Sequence, residues 1–135
     1  MNYVLGFYFE KDRVLLIKKN RPEWQKGNWN GIGGKIVEEG EDGRVAMSRE
    51  FLEETGCAVD SLLWRYCAYI SDHRHSMQVF SLQEPKTVTD ESVGFFSVLN
   101  LPSNIIPNLQ WMIPLLREPN AKFPLRLPYN LTGER

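Results

Sequence analysis

Residues 33–57, GGKIVEEGEDGRVAMSREFLEETGC, constrain this chain more than any other stretch. Their second half predicts one helix from about Gly43 to Thr55, stopped by Gly56, with Glu50, Glu53 and Glu54 inside it. At about 100° per residue these carboxylates share one side of the cylinder. Val45, Met47, Ser48, Phe51 and Leu52 fill the other side, and Arg49 sits at the border. Like charges at i,i+4 spacing cost roughly 0.2–0.5 kcal/mol per pair, and a hard divalent cation with oxygen ligands turns that repulsion into binding. Taken alone, the helix reads more plainly as a solvated acidic face. The upstream glycines 31, 33, 34, 40 and 43 change the balance, because they form a bare loop that delivers Glu41 to the start of the helix. A bare loop feeding a carboxylate-studded helix suits a metal–phosphate ligand.

The segment resembles the signature of the Nudix (MutT-like) hydrolases. That pattern is Gly, five residues, Glu, seven residues, Arg-Glu, a bulky apolar residue, any residue, Glu-Glu, any residue, Gly, bulky apolar. Glu41, seven residues, then Arg49-Glu50-Phe51-Leu52-Glu53-Glu54-Thr55-Gly56 falls in register. Two departures stand out: six residues separate Gly34 from Glu41, one extra within KIVEEG, and Cys57 fills the last bulky position.

The resemblance implies an α/β/α sandwich around a mixed sheet, and hydrolysis of a phosphoanhydride. It also implies Mg²⁺, with Mn²⁺ as the alternative, held by Glu50, Glu53 and Glu54 with the main-chain carbonyl of Gly33. Arg49 is implied to orient a carboxylate, Glu53 four residues on or Glu41 across the loop. The base that deprotonates water varies in this family; Glu53 is favoured, with Glu50 close behind. A further metal-site acid often comes from the loop before the Phe95-Phe96 strand, where Asp90 and Glu91 compete with the reading that both are solvated.

Substrate choice must come from outside the signature. RVLLIKK with GNWNGIGGK is similar to the strand and loop of the mammalian oxidised-purine nucleoside triphosphatases, in which the equivalent of Asn30 bonds the base. Pro107 to Leu116 lines up with their base-pocket helix, whose two aspartates are Asn108 and Leu109 here. Asn108 offers a donor and an acceptor to a base edge; Leu109 offers neither. Gly34 and Lys35 of the bare loop join Asn30 and Asn108 as expected substrate contacts. Trp24 is weighed between stacking on a base and packing its loop, Trp29 as structural, and Trp111 as core or pocket wall. His73 and His75, two apart in a polar turn, read as ordinary surface histidines.

The expected activity is cleavage of a purine deoxynucleoside triphosphate, 8-oxo-dGTP among the candidates, to monophosphate and pyrophosphate. A nucleoside diphosphate derivative such as ADP-ribose or a dinucleotide is the second reading. A non-catalytic nucleotide sensor is the third, disfavoured because every acid of the signature is kept.

The rest of the chain sets the frame. Its 135 residues fit one domain, with 118–135 as an extended, proline-containing tail. Lys and Arg number 16 against 17 Asp and Glu, a net charge of −1, which gives no support for broad binding to nucleic acid polymer or membrane. Cys57 and Cys67 lack zinc spacing, and MNYVLGFYFEKD lacks a secretory leader, so a cytoplasmic protein with buried free thiols is expected, as monomer or homodimer. Strands are predicted at Tyr3–Phe9 and Val14–Ile17 as a hairpin, then at 61–70, 77–82 and 95–99. A second helix is expected near Pro107, interrupted or ended by Pro114.

Overall fold

A computed structural model describes residues 1–36, 40–84, 88 and 93–128. In chain order the elements are β1 (Asn2–Glu10), β2 (Arg13–Lys18), β3 (Trp29–Asn30), β4 (Ile32–Lys35) and α1 (Gly43–Thr55). There follow β5 (Arg65–Ser71), β6 (Ser76–Leu82), β7 (Val93–Ser97), α2 (Leu109–Leu116) and β8 (Leu125–Pro128). Among the described residues these strands form one sheet in the order β3-β2-β1-β6-β5-β8, with β4 also on β1 and β7 also on β2. β1 pairs in parallel with β6 and antiparallel with β2 and β4, so the sheet is mixed.

β1 is central, and its apolar run is buried on both faces. Alternation along it sends Val4 and Tyr8 toward α1, where they join Met47, Phe51 and Trp64. Leu5, Phe7 and Phe9 point the other way, into a cluster with Leu109, Met112 and Ile113 of α2. Two helices on opposite faces of a mixed sheet make the expected α/β/α sandwich.

Helix α1 occupies the predicted residues. The Asp42 carboxylate accepts from the Arg44 N–H at 2.8 Å at its start, and Gly56 ends it in the left-handed region at φ 73°. Gly56→Ala is expected to cost about 1 kcal/mol, because an L side chain pays that much in this conformation. The check is a lower denaturant midpoint at unchanged m-value.

The face that α1 buries differs from the sequence expectation. Val45 and Leu52 are each 49% exposed, whereas Glu50 lies in the docked stripe with Ala46, Met47, Phe51 and Thr55. Three further differences are local. Residues 61–63 form a 3-10 turn capped by Asp60, whose Oδ1 accepts from the Leu62 N–H at 2.9 Å, so β5 begins only at Arg65. Pro114 sits inside α2 instead of ending it, because buried Ile113 and Leu116 hold the last turn against the sheet. Part of the tail is ordered: β8 pairs in parallel with β5 as an edge strand, a place that tolerates Pro128. Both cysteines are free thiols, Cys67 buried and Cys57 half-buried. No helix among the described residues is long and apolar enough to cross a membrane.

Candidate active site

The site is assembled where α1 crosses β4. Glycine at position 34 lets the helix press a carboxylate onto the strand: a Cβ there would stand 2.6 Å from Oε1 of Glu50. Glu50 is 9% exposed. Burial pushes its carboxyl above the usual carboxylate range, and the hydrogen bond from Arg49 pulls it only part of the way back.

Arg49 ties the signature together. Its Nη1 donates to Glu50 Oε1 at 2.9 Å, and Nη2 and Nε reach the two oxygens of Glu41 at 3.3 and 3.4 Å. Nη2 also donates to the Lys35 carbonyl at 3.2 Å, which fastens the loop to the helix. Glu53 Oε1 lies farther from the guanidinium, at 3.8 Å. Of the two partners expected for Arg49, Glu41 is the one in hydrogen-bond range, and Glu50 is a third that the sequence did not suggest. The extra residue between Gly34 and Glu41 leaves this contact intact; positions 37–39 themselves lie outside the described residues.

The oxygen-only donor set suits a hard cation. Glu50 is held in place, Glu54 is half-buried and Glu53 is mostly exposed on the next turn. Among the described residues, no three His, Cys, Asp or Glu side chains are gathered into a ready cage. Mg²⁺ does not require one, since it keeps several waters and takes one or two carboxylates plus substrate phosphates. Asp90 and Glu91 lie outside the described residues.

Gly33, Gly34, Lys35, Glu50 and Trp24 line one cavity of about 710 Å³. The loop from β2 to β3 supplies Trp24. Backbone bonds from Lys19 N–H to the Asn28 carbonyl and from Gly27 N–H to the Lys19 carbonyl, both 2.9 Å, close that loop. A 3-10 turn at Glu23–Gln25 then presents Trp24, half exposed, to the cavity. Asn30 and Asn108 do not line it. The Asn30 amide is occupied by Gln25 Oε1 at 3.1 Å and by the Gly31 N–H at 2.8 Å, and Asn108 stands at the start of α2.

Sequence reasoning missed seven lining residues: Tyr3, Lys19, Arg21, Pro22, Gln25, His75 and Met77. The parallel pairing of β1 with β6, which sets Tyr3 opposite Met77, brings the β5–β6 turn beside the β2–β3 loop. That pairing is non-local and leaves no signal in sequence. His75 is therefore not an ordinary surface residue; its side chain is 19% exposed and its ring lies 5.8 Å from that of Tyr3. Trp29 packs edge-on to Phe96 at 4.7 Å, and Trp111 packs against the α2-side core.

The sequence pattern of the NUDIX domain matches residues 3–112. The chain belongs to the NUDIX family. Sixty residues are 47% identical to the oxidized purine nucleoside triphosphate hydrolase of Mus musculus, covering 44% of this chain and 37% of the mouse protein. The match thus spans little more than a third of that relative. The NUDIX hydrolase of Nitrosomonas europaea superposes with a TM-score of 0.71 at 21% identity, over 95% of this chain and 78% of that one. A bifunctional NMN adenylyltransferase/ADP ribose pyrophosphatase from Francisella tularensis, complexed with AMP and a Mn ion, gives 0.64 at 20% identity, over 86% and 40%. At these identities the two structures establish that the sandwich is the NUDIX layout.

Proposed function

We propose that this NUDIX protein hydrolyses a nucleoside triphosphate to the monophosphate and pyrophosphate, with purine deoxynucleotides, oxidised ones included, as the leading substrates. One observation carries the reading: a single cavity joins the buried Glu50 carboxylate to an aromatic wall at Trp24 and Tyr3. Tyr3 and Met77 lie on the α2 side of the sheet and Glu50 on the α1 side. A ligand that touches both must therefore cross the bare edge strand β4. A phosphate chain between base and metal has that shape, and Lys19, Arg21 and Lys35 line the cavity to meet its charge.

Glu50, Glu53, Glu54 and the Gly33 carbonyl would hold Mg²⁺ or Mn²⁺, which supplies charge neutralisation and a lowered pKa for water. Arg49 positions Glu41 and Glu50 and stays off the substrate. Glu53, open to solvent, takes the proton of the water that attacks an internal phosphorus, and pyrophosphate leaves. Gly34 and Lys35 bring main chain close to the phosphates. Trp24 stacks on the base, and Asn30 steadies it through Gln25.

The test is a nucleotide panel with Mg²⁺, scored for pyrophosphate against orthophosphate. Pyrophosphate from one purine triphosphate, abolished by chelator and restored by excess Mg²⁺, is the expected result. The second reading, a nucleoside diphosphate derivative, draws on the resemblance to the Francisella ADP ribose pyrophosphatase. Release of two monophosphates from ADP-ribose, with triphosphates untouched, would replace the first reading by the second.

A further inference from the structure

We propose that His75 is a specificity-determining residue of this cavity, its Nε2 accepting a hydrogen bond from an exocyclic amino group of the nucleobase. The inference rests on reading the cavity as a nucleotide site.

The β5–β6 turn is built to fix this imidazole. Asp72 Oδ1 accepts the backbone N–H groups of Arg74 at 2.8 Å and His75 at 2.7 Å, which locks the carboxylate inside the turn. Nδ1 of His75 lies 3.5 Å from that same oxygen and is buried without a hydrogen bond among the described residues. On its flank the ring is braced by Tyr3, centroids 5.8 Å apart and planes inclined by 32°. Of the two ring nitrogens, the one beside the carboxylate is the one that carries the proton, because only an N–H can interact favourably with Oδ1 there. In neutral imidazole this makes Nε2 an acceptor. No described residue hydrogen-bonds Nε2, so the acceptor is left for whatever enters the cavity that His75 lines.

The surroundings select what that is. Tyr3, Met77, Pro22 and Trp24 line the same cavity and offer apolar or aromatic surface suited to a flat ring. An acceptor set at the edge of such a slot favours a base that presents an N–H. The exocyclic amino group of adenine or guanine does so, whereas the 6-carbonyl of hypoxanthine presents a second acceptor. Leaving a buried acceptor facing another acceptor costs more than a lost contact.

The test compares dATP with dITP, whose base has no amino group, at pH 8. Analogues with an α,β-methylene bridge are titrated by calorimetry, and the natural nucleotides give kcat and KM. The wild-type protein should bind the dATP analogue about three- to tenfold more tightly than the dITP analogue. His75→Phe, which keeps a ring against Tyr3, should erase that preference, chiefly by raising KM for dATP. His75→Gln, which keeps an acceptor oxygen, should restore part of it. Equal wild-type affinity for the two analogues, or a preference that survives His75→Phe, would overturn the assignment. A preference that behaves as expected in a protein releasing no pyrophosphate supports His75 as the reader and sinks the triphosphatase reading alone.

Discussion

Glu53→Gln is expected to lower kcat by about 10²- to 10⁴-fold, the usual contribution of a positioned general base, with KM little changed. The structure makes this variant informative because, apart from its proposed place in the metal site, Glu53 makes no hydrogen bond that holds the fold among the described residues. Its side chain is 60% exposed and stands 3.8 Å from Arg49, outside the tighter contacts that join Arg49 to Glu41 and Glu50. An uncharged isostere therefore leaves the core, the helix and the loop in place, and a loss of rate reports chemistry rather than folding. Single-turnover kinetics at saturating Mg²⁺ are the measurement, with thermal unfolding as the control. Turnover at the wild-type rate would remove Glu53 from the mechanism and shift the base to Glu50. A fall in metal affinity with recovery of rate at high Mg²⁺ would make Glu53 a ligand only.

The sequence carried the parts of this molecule that are local. Helix α1 announces itself through Asp42 at its start and Gly56 at its end, and the acids fall at fixed spacing inside it. The strands β1, β2 and β6 are short apolar runs bounded by turns, and they were legible for the same reason. What the periodicity misjudged was which side of α1 turns inward. Glu50 was grouped with the solvated acids, yet Ala46, Met47, Phe51 and Thr55 carry it into the interface with β4. The clue was present in the glycine at 34, whose bare backbone is what makes room for that carboxylate. No such clue exists for the aromatic wall. Tyr3 and His75 meet only because β1 and β6 pair in parallel across more than seventy residues of intervening chain. The tail reads as extended or irregular because it carries Pro119, Pro124 and Pro128; pairing on one side only, with β5, is what lets residues 125–128 form a strand.

Glu50→Gln should separate function from stability. Activity is expected to fall by about a hundredfold or more if Glu50 holds the proposed cation, because a bound metal supplies several kcal/mol of transition-state stabilisation. The metal-free fold should not suffer in parallel. Burial raises the folded-state pKa of Glu50 above its ordinary 4.5, more than the Arg49 hydrogen bond lowers it. The sign follows from linkage: the native state prefers the protonated acid, so its favourable contribution is full below pH 4.5 and is lost as pH rises through the elevated value. Glutamine keeps the shape without the charge, and Arg49 keeps its two contacts with Glu41. Relative to wild type, the metal-free variant should therefore gain stability as the pH rises above 4.5, measured by denaturant unfolding in the presence of chelator. Excess Mg²⁺ should then reverse the order, raising the wild-type midpoint by mass action and leaving the variant's nearly unmoved. A variant less stable than wild type at neutral pH without metal would mean that the ion pair with Arg49 outweighs the desolvation of Glu50. The carboxylate would then be held by its arginine and not kept in reserve for a cation.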